Sequence, residues 1–370
     1  MDYFYESLIR PIVFKLFRDA EKAHDQSLSA LKLLSRFRPA VSLMEHFNMK
    51  NGHLPPQRPI EVFGLKFPNV VGLAAGFDKQ ARVWPALGAL GFGHVEIGTV
   101  TQQPQPGNEK PRVFRYPQKE AVVNSFGFPN DGADVVAERI SKLAWRGKGK
   151  RDFVLGINIG KSKVCPLDKA VEDYLASFKK LAPLADYMVV NISSPNTPNL
   201  RELHNHEQLY TLLSELQHEN RAYAQKTGGK ALPLLLKIAP DLTFPQIDAV
   251  LEVVSDTKIS GLIATNTTVT RPADMPGVVT KGGLSGAPLF EKALDIVRYI
   301  VRATDYKLPV IGSGGICSVE DVDRYLAVGA SLVQIYSGMI YRGPFFASEI
   351  AKAYAWNQTD IPHAGQEWGR

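Results

Sequence analysis

Short apolar runs alternate with longer segments of helical periodicity along most of the chain. Runs of four to six residues, rich in β-branched side chains, are typical of buried strands, and eight occur, at residues 70–75, 94–99, 153–158, 187–191, 234–239, 261–265, 309–312 and 332–336. Apolar residues spaced three and four apart predict helices between them, at residues 170–181, 207–224, 244–254, 290–302 and 319–328. Eight such units predict an α/β fold, a (β/α)8 TIM barrel, and an open doubly wound sheet is the alternative.

Two amphipathic segments precede this alternation. Large apolar residues recur at helical spacing from residue 3 to 17 and again from 28 to 47, and Pro11 is expected to kink or break the first helix. The predicted organisation is a small N-terminal α-helical extension at residues 1–52, a barrel at 53–355 and a polar C-terminal tail at 356–370. The extension either packs on the barrel, which composition alone favours, or lies in a membrane interface.

The carboxyl ends of the predicted strands carry polar residues or glycine. Active sites of barrels of this kind lie at that end of the strands. The third and fourth strands end in Asn158 and Asn191, and the fourth is followed by the loop NISSPNTPN at residues 191–199. Two prolines stiffen this loop, so its Asn and Ser side chains can grip a small polar ligand. An ordinary connector is the alternative.

Glycines and one lysine indicate what the barrel binds. Gly314 and Gly315 follow the seventh strand and, with Gly286, allow backbone amides to cradle a phosphate. Lys237 lies in the apolar run LLLKI, where an unpaired ammonium group is costly to bury. A flavin mononucleotide would satisfy both features, because a cation near N1 stabilises reduced flavin. An internal ion pair with Asp or Glu is an equal alternative for Lys237.

Composition narrows the class of protein. The chain has 370 residues, 45% hydrophobic and 22% charged, which is ordinary for a soluble globular protein. Its net charge of +6 favours anionic partners, and the lack of a basic block with interleaved aromatics argues against nucleic acid. Cys165 and Cys317 lack metal-ligand spacing, so we expect free thiols in a reducing compartment and no metal. No apolar run reaches membrane-span length, and no signal or transit peptide is recognisable.

Five motifs, in chain order, resemble those of the dihydroorotate dehydrogenase family. They are GLAAGFDK at residues 72–79, NSFGF at 124–128, NISSPNTPN at 191–199, TNTT at 265–268 and GGLSG at 282–286. These motifs cover the barrel almost end to end and are highly specific. The resemblance implies oxidation of dihydroorotate to orotate with FMN as hydride acceptor, in pyrimidine biosynthesis. The amphipathic extension resembles that of class 2, the quinone-dependent, membrane-associated branch, of bacterial type, which implies interfacial binding rather than packing.

The resemblance also implies residue roles. Ser194 matches the catalytic base, which takes a proton from C5 of dihydroorotate while a hydride passes from C6 to flavin N5; Thr197 and the ring of Phe128 match residues that position it and its proton relay. Serine is a poor base at its ordinary pKa, so a neighbour must activate it. The implied substrate-binding residues are Lys79, Asn124, Ser125, Phe126, Gly127, Phe128, Asn191, Asn196, Asn266 and Thr267. The implied flavin-binding residues are Ala75, Gly76, Lys79, Thr99, Asn158, Asn191, Lys237, Thr265, Gly286, Gly315, Tyr336 and Ser337.

The catalytic base separates the classes of this family. Soluble class 1 enzymes resemble this chain but have a cysteine where Ser194 stands, so class 2 is implied. Class 2 implies a membrane quinone as electron acceptor, which reaches the flavin through the N-terminal helices near His24, Arg115 and Tyr336. It further implies a peripheral protein on the cytoplasmic face of the bacterial inner membrane, in contact with anionic lipid and without an iron–sulfur partner subunit.

Two other functions stay open from the sequence. Another flavin-dependent barrel oxidoreductase would act on a related pyrimidine or enone, and dihydroorotate would fail to reduce its flavin. A noncatalytic barrel that binds a phosphorylated ligand and docks on membranes would be colourless when purified. This last function leaves Lys237 and the serine loop without chemistry to perform.

Overall fold

The computed structural model describes residues 5–50, 59–144, 151–275 and 277–356. The strands within these residues are β1 (Ile60–Val62), β2 (Leu65–Phe67), β3 (Val71–Leu73), β4 (His94–Val100), β5 (Val113–Tyr116), β6 (Ala121–Asn124), β7 (Val154–Ile159), β8 (Tyr187–Asn191), β9 (Leu234–Ile238), β10 (Gly261–Ala264), β11 (Gly283–Gly286), β12 (Val310–Ser313) and β13 (Leu332–Ile335). Eight of them close into a parallel barrel in the order β10, β12, β13, β3, β4, β7, β8 and β9.

The barrel confirms the fold predicted from the sequence. Each of its strands falls on one of the predicted apolar runs, and closure of the sheet makes the open, doubly wound alternative wrong. Every residue of β8 and β9 is buried, which explains why these strands read as continuous apolar runs rather than alternating ones.

Helices cover the outside of the barrel. The α-helices of the described residues are α1 (Arg10–Leu16), α2 (Ala20–Arg36), α3 (Arg38–Lys50), α4 (Trp84–Ala89), α5 (Gly132–Leu143), α6 (Ala170–Leu181), α7 (His206–Thr227), α8 (Phe244–Thr257), α9 (Phe290–Ala303), α10 (Val319–Ala327), α11 (Ser337–Arg342) and α12 (Phe346–Trp356). The five predicted helices are confirmed as α6 to α10. In α9 the buried side chains recur three and four residues apart, as in Phe290, Ala293, Leu294 and Val297.

Two small sheets that the sequence reading missed close the ends of the barrel. β1 and β2 form a hairpin near the amino ends of the strands, where Phe67 packs edge-on against His94. At the other end, β5, β6 and β11 form an antiparallel sheet in which Asn124 pairs with Gly283. The pairing of β6 with β11 brings the NSFGF and GGLSG motifs together above the strand ends.

The N-terminal extension packs with one face and exposes another. A short π-helix, Tyr5–Ile9, runs directly into α1, whose first turn contains Pro11, so the helix changes from π to α next to the residue that was predicted to kink or break it. Arg10 Nη1 donates to Tyr341 O at 2.8 Å, and Glu21 pairs with Arg112 at 2.8 Å, which fixes the extension to the barrel. The large apolar side chains that remain exposed on it are Leu8, Ile9, Ile12, Leu16, Leu33, Phe37 and Leu43.

No helix among the described residues is long and apolar enough to cross a membrane. Both cysteines are free thiols, as predicted; Cys165 is half-buried and Cys317 is buried. The predicted boundary near residue 52 and the tail lie outside the described residues, except that α12 ends at Trp356.

Candidate active site

One cavity at the carboxyl ends of the barrel strands collects most of the residues that the sequence singled out. The predicted residues that line it are Ala75, Gly76, Lys79, Thr99, Asn124, Phe126, Gly127, Phe128, Asn191, Ser194, Asn196, Lys237, Thr265, Asn266, Thr267, Gly286, Gly315, Tyr336 and Ser337. Ser125, Asn158 and Thr197 are buried next to lining residues without lining the cavity themselves.

Amide and hydroxyl groups from four strand ends form one hydrogen-bonded network beneath the cavity. Thr99 Oγ1 donates to Asn158 Oδ1 at 2.6 Å, and Asn191 Nδ2 donates to Thr99 Oγ1 at 2.9 Å. Asn266 Nδ2 donates to Ser193 Oγ at 2.9 Å, and that hydroxyl donates to Asn191 Oδ1 at 3.0 Å. Asn158 therefore acts by orienting Thr99 and Asn191 rather than by facing the cavity itself.

A buried ion pair lies next to this network. Lys237 Nζ is 3.9 Å from Glu96 Oε1, and the two side chains are 6% and 0% exposed. Glu96 also accepts hydrogen bonds from Asn158 Nδ2 at 2.8 Å and from Gln334 Nε2 at 2.7 Å. Burial lowers the pKa of Lys237, and the negative charge of Glu96 opposes that shift. Lys237 is thus paired inside the protein and still lines the cavity.

The loop after β12 presents unpaired backbone amides. Gly314 and Gly315 have φ angles of 137° and 76°, a region that L side chains rarely adopt. The amides of residues 314–316 donate no hydrogen bond to another described residue. Successive unpaired amides of this kind suit a phosphate group. A Cβ on Gly315 would lie 2.5 Å from the Phe290 backbone, so packing behind the loop also requires glycine here.

The serine loop covers another side of the cavity. Ser194 is 5% exposed, and its Oγ accepts a hydrogen bond from the Asn196 backbone amide at 3.2 Å. Asn196 Nδ2 donates to Asn124 O at 3.2 Å, which ties the loop to the end of β6. Thr197 Oγ1 is buried and has no hydrogen-bond partner among the described residues, so it can bond to a water molecule.

Arg201 joins the serine loop to two neighbouring loops. Its Nε donates to Ser193 O at 3.1 Å, its Nη2 to Thr267 O at 3.3 Å and its Nη1 to Asp241 Oδ2 at 3.0 Å. Burial raises the pKa of Asp241, but hydrogen bonds, above all that from Lys292, outweigh this effect and lower the pKa to about 2. The Asp241 carboxylate is therefore ionised at neutral pH and anchors the guanidinium group.

Lys79 provides a half-buried cation on the side of the cavity formed by NSFGF. Its Nζ lies 3.8 Å from the centroid of the Phe126 ring and donates to Gly76 O at 2.5 Å. Burial, the largest influence, lowers the pKa of Lys79 to about 8. The preceding Asp78 accepts hydrogen bonds from the amides of Arg82 and Val83 at 2.7 and 2.8 Å, which fixes the turn that carries Lys79.

A second, more apolar cavity of about 340 Å³ lies between the N-terminal extension and the barrel. His24, Arg115 and Tyr336, the residues predicted for the quinone, all line it. Burial lowers the pKa of His24 to about 3, so its imidazole is neutral. Arg115 lies over the Phe14 ring at 4.2 Å and donates to the Phe17 carbonyl oxygen. Asn124, Phe126 and Tyr336 border both cavities, so the two cavities are adjacent.

Sequence reasoning missed several residues that hold the site in place. A carboxylate inside the predicted strand 94–99 was a signal for Glu96, because it needs a buried partner such as Lys237. Gly160 gave no clear signal, yet a Cβ there would lie 3.0 Å from Phe128 Cε2 and 2.6 Å from Thr99 Cγ2. Arg201 and Asp241 are 40 residues apart and meet only in the folded chain.

The fold and the cavity define a (β/α)8-barrel enzyme whose site combines cationic and amide side chains with glycine-rich backbone. The sequence profile described as dihydroorotate dehydrogenase matches residues 59–355. A curated relative from Chloroflexus aurantiacus, dihydroorotate dehydrogenase (quinone), is 47% identical over 95% of this chain and 96% of its own length. A relative of the same name from Acidithiobacillus ferrooxidans is 45% identical over 93% of this chain and 92% of its own length.

A solved structure agrees with these relatives. The crystal structure of DHODH from Eimeria tenella in complex with ferulenol aligns with a TM-score of 0.81 and 34% identity, over 95% of this chain and 96% of that one. This chain belongs to the dihydroorotate dehydrogenase family. The resemblance inferred from the five motifs is therefore confirmed.

Proposed function

We propose that the protein oxidises dihydroorotate to orotate and passes the electrons to a membrane quinone, as a step of pyrimidine biosynthesis. The substrate loses a proton from C5 and a hydride from C6, and a C5–C6 double bond forms. The two electrons and two protons that the substrate loses are those that convert a quinone to a quinol, so the overall reaction balances. The observation that carries the proposal is the convergence of the serine loop, Lys79 and Lys237 in one cavity, beside a second cavity lined by the N-terminal extension.

The cofactor that fits the barrel cavity is FMN. The unpaired amides of residues 314–316 would hold its phosphate, and the ammonium group of Lys237 would face its ring. Bound FMN supplies a ring that accepts a hydride and then releases the electrons singly or in pairs. Asn191 and Thr99 are already fixed by a hydrogen bond between them and by bonds to Asn158, so their polar groups need no rearrangement to contact a ring edge.

Ser194 is the proposed general base. The backbone amide of Asn196 already donates to its Oγ at 3.2 Å and would stabilise negative charge that develops there. Its burial keeps bulk water away from the proton in transit. Thr197, whose buried hydroxyl lacks a protein partner, is the proposed next carrier of the proton through a water molecule. The Lys79 ammonium and the amide groups of Asn124, Asn196 and Asn266 suit the carboxylate and ring edge of the substrate.

The second cavity is the proposed quinone site. It is bordered by apolar residues of the extension, such as Val13, Phe14 and Leu31, and reaches Tyr336 at the edge of the barrel cavity. The exposed apolar side chains of the same extension suit the acyl layer of a membrane. We place the protein at a membrane surface as a peripheral protein, on the cytoplasmic face in bacteria, where substrate and quinone reach it from opposite sides.

Anaerobic stopped-flow absorbance with L-dihydroorotate tests this function. The purified protein is expected to be yellow, and its flavin band to bleach rapidly in the wild type. In Ser194→Ala the bleaching is expected to slow by a factor on the order of 100 to 10,000, the usual contribution of general base catalysis. Ser194→Cys keeps an ionisable group at this position and is expected to recover part of the rate.

Each contrary outcome identifies a different error. A colourless protein that binds no flavin would contradict both the cofactor and the reaction. If dihydroorotate leaves the flavin oxidised, the cofactor assignment stands but dihydroorotate is not the substrate. If bleaching is equally fast in Ser194→Ala and the wild type, the reaction stands but Ser194 is not its base.

A further inference from the structure

A cationic groove lies between the N-terminal extension and the barrel, away from both cavities described above. It occupies about 530 Å³, and five of its eight lining residues are cationic while one is acidic. Its lining comprises Lys32, Arg36, Arg82, Val135, Glu138, Arg139, Lys142 and Leu143. Helix α2 supplies the first two residues and α5 the last five, so the groove exists only when the extension is docked.

The contact between α2 and the barrel fixes this groove. Ser35 is buried, and its hydroxyl donates to Val83 O at 3.3 Å and accepts from the Ala86 amide at 3.4 Å. Arg36 follows Ser35 directly, and Arg82 precedes Val83 directly. The buried hydrogen bonds of Ser35 therefore bring two like charges from different parts of the chain to the same groove.

The groove holds more positive charge than its acidic neighbours balance. Arg82 and Arg139 share one carboxylate, Asp131, at 3.4 and 2.7 Å. Among the described residues, Lys32 and Arg36 have no ion-pair or hydrogen-bond partner, since Asp131 and Glu138 pair with cations of the barrel. Cations gathered without counter-charge repel one another, and a bound anion removes that repulsion.

The surroundings of the groove indicate which anion this is. Lys32 and Arg36 lie four residues apart and share one stripe of α2, Leu33 lies beside that stripe, and Phe37 is the residue that follows the helix. Leu33 is 76% exposed and Phe37 is 61% exposed, so two large apolar side chains border the cations. Apolar side chains beside cations are the arrangement of an interfacial helix, with acyl chains on one stripe and phosphates on the next. A free phosphate ion would gain nothing from the apolar side chains beside the cations.

We propose that this groove binds the phosphate of an anionic phospholipid headgroup and thereby sets the orientation of the protein on the membrane. Lys32 and Arg36 contact the phosphate from the extension, while Arg139 and Lys142 contact it from the barrel. Because the site spans both parts, a bound lipid also holds the extension against the barrel. The inference rests on the membrane placement proposed above.

Vesicle flotation measures this binding directly. The holoenzyme is compared on phosphatidylcholine vesicles with and without phosphatidylglycerol, as wild type and as Lys32→Gln/Arg36→Gln. The variant is expected to lose about 30-fold in affinity for the anionic vesicles, from about fivefold for each cation near an anionic leaflet. Its affinity for neutral vesicles is expected to stay unchanged, because Leu33 and Phe37 remain.

A control matched in charge separates the groove from net charge. Lys226→Gln/Lys230→Gln removes two exposed cations at the end of α7 and just beyond it, two helices further round the barrel from α5. This control is expected to retain nearly all of the affinity for anionic vesicles. An equal loss in both double variants, or none in Lys32→Gln/Arg36→Gln, would overturn the groove as the headgroup site.

Two further measurements separate lipid from free phosphate, and the groove proposal from the membrane placement on which it rests. Calorimetric titration with inorganic phosphate is expected to show no binding. If phosphate binds and binding depends on Lys32 and Arg36, while these residues have no effect on vesicle binding, the groove is a site for free phosphate instead. Wild-type protein that floats with neither vesicle would contradict the membrane placement itself. Flavin reduction by dihydroorotate is independent of this groove and reports separately on the proposed reaction.

Discussion

The ammonium group of Lys237 lies 3.9 Å from the carboxylate of Glu96, and both are buried inside the barrel. Glu96 is further held by Asn158 and Gln334, so four polar side chains from β4, β7, β9 and β13 meet at one point. A charge buried in this way costs free energy unless it is paired, and removal of one partner is far more harmful than removal of both. The pair therefore links the stability of the barrel to the cation that faces the cavity.

Replacement of Glu96 by glutamine is expected to destabilise the holoenzyme by about 3–5 kcal/mol at neutral pH, because Lys237 is left as an unpaired buried cation. Urea unfolding measures the change. The pKa of Lys237 is already lowered by burial and falls further in the variant, which lacks the opposing charge of Glu96. The deficit is thus fully present below these folded-state pKa values and shrinks as the pH rises and Lys237 becomes neutral.

An exposed pair provides the control for this prediction. Lys66 and Glu61 are 3.3 Å apart, closer than Lys237 and Glu96, but their side chains are 71% and 67% exposed. Glu61→Gln is expected to change stability by less than about 1 kcal/mol. A deficit in Glu96→Gln that stays constant with pH would show that lost packing, rather than the unpaired charge, destabilises that variant.

A pH dependence is expected from Lys79. Burial lowers its pKa to about 8, so the ammonium is charged below that pH and neutral above it. The dissociation constant of dihydroorotate is expected to rise as the pH increases through about 8, by up to tenfold per unit, since its carboxylate then meets a neutral amine. Stopped-flow flavin reduction at several substrate concentrations separates this constant from the rate at saturation.

The variant Lys79→Arg tests the assignment of this pH dependence. Arginine stays charged across the whole range, so the rise of the dissociation constant near pH 8 is expected to disappear even if binding becomes weaker overall. Persistence of the same rise in Lys79→Arg would assign the titration to another group of the site.

Much of this architecture could be predicted from the sequence. The elements and residues that could not be predicted were missed for one common physical reason. Apolar runs with polar ends located the eight barrel strands, because strands buried on both faces leave a continuous apolar signal. β5, β6 and β11 were missed because each has only four residues, and β11, with the sequence GLSG, contains two glycines, which are poor strand formers. Their propensity is overridden by pairing with one another, which no local pattern records.

The residues of the active site also divide into those that the sequence revealed and those that only the folded chain shows. Asn191 and Lys237 stood out because a polar residue at the end of a buried strand needs a partner. Glu96 could have been identified by the same rule, since it is a carboxylate within an apolar run. Arg201 and Asp241 could not, because surface loops are normally rich in charge and their contact is a product of the fold.

Arg201 is expected to position the serine loop for catalysis without touching the substrate. Its guanidinium donates to Ser193 O, Thr267 O and Asp241, a three-way contact that an ammonium group cannot reproduce. Arg201→Lys is expected to slow flavin reduction at saturating dihydroorotate by about 10- to 100-fold, since small misplacements of a catalytic group are costly. The control Arg324→Lys, in an exposed pair with Glu291, is expected to have no effect.

The Asp241 carboxylate, which anchors Arg201, does so only over the pH range in which it is ionised. Asp241 has its pKa lowered to about 2, so its stabilising contribution is present above its unfolded-state pKa and is lost as the pH falls toward 2. Asp241→Asn is expected to mimic that loss at neutral pH and to reduce the rate of flavin reduction as Arg201→Lys does. If flavin reduction is as fast in both variants as in the wild type, Arg201 does not position the serine loop.

Removal of residues 1–52 is expected to separate the two half-reactions. The cavity that contains Ser194 and Lys79 is built by the barrel, so flavin reduction by dihydroorotate is expected to stay within about twofold of the full chain. The second cavity loses one whole side, including His24 and Phe14, so oxidation by a long-chain quinone is expected to fall at least about tenfold.

Arg115→Gln gives a milder test, because it releases the Phe17 carbonyl and the Phe14 ring while the extension remains. It is expected to weaken only the quinone step. Unchanged quinone kinetics in the truncated protein would reject the extension as the quinone site, because the remaining surface would then suffice.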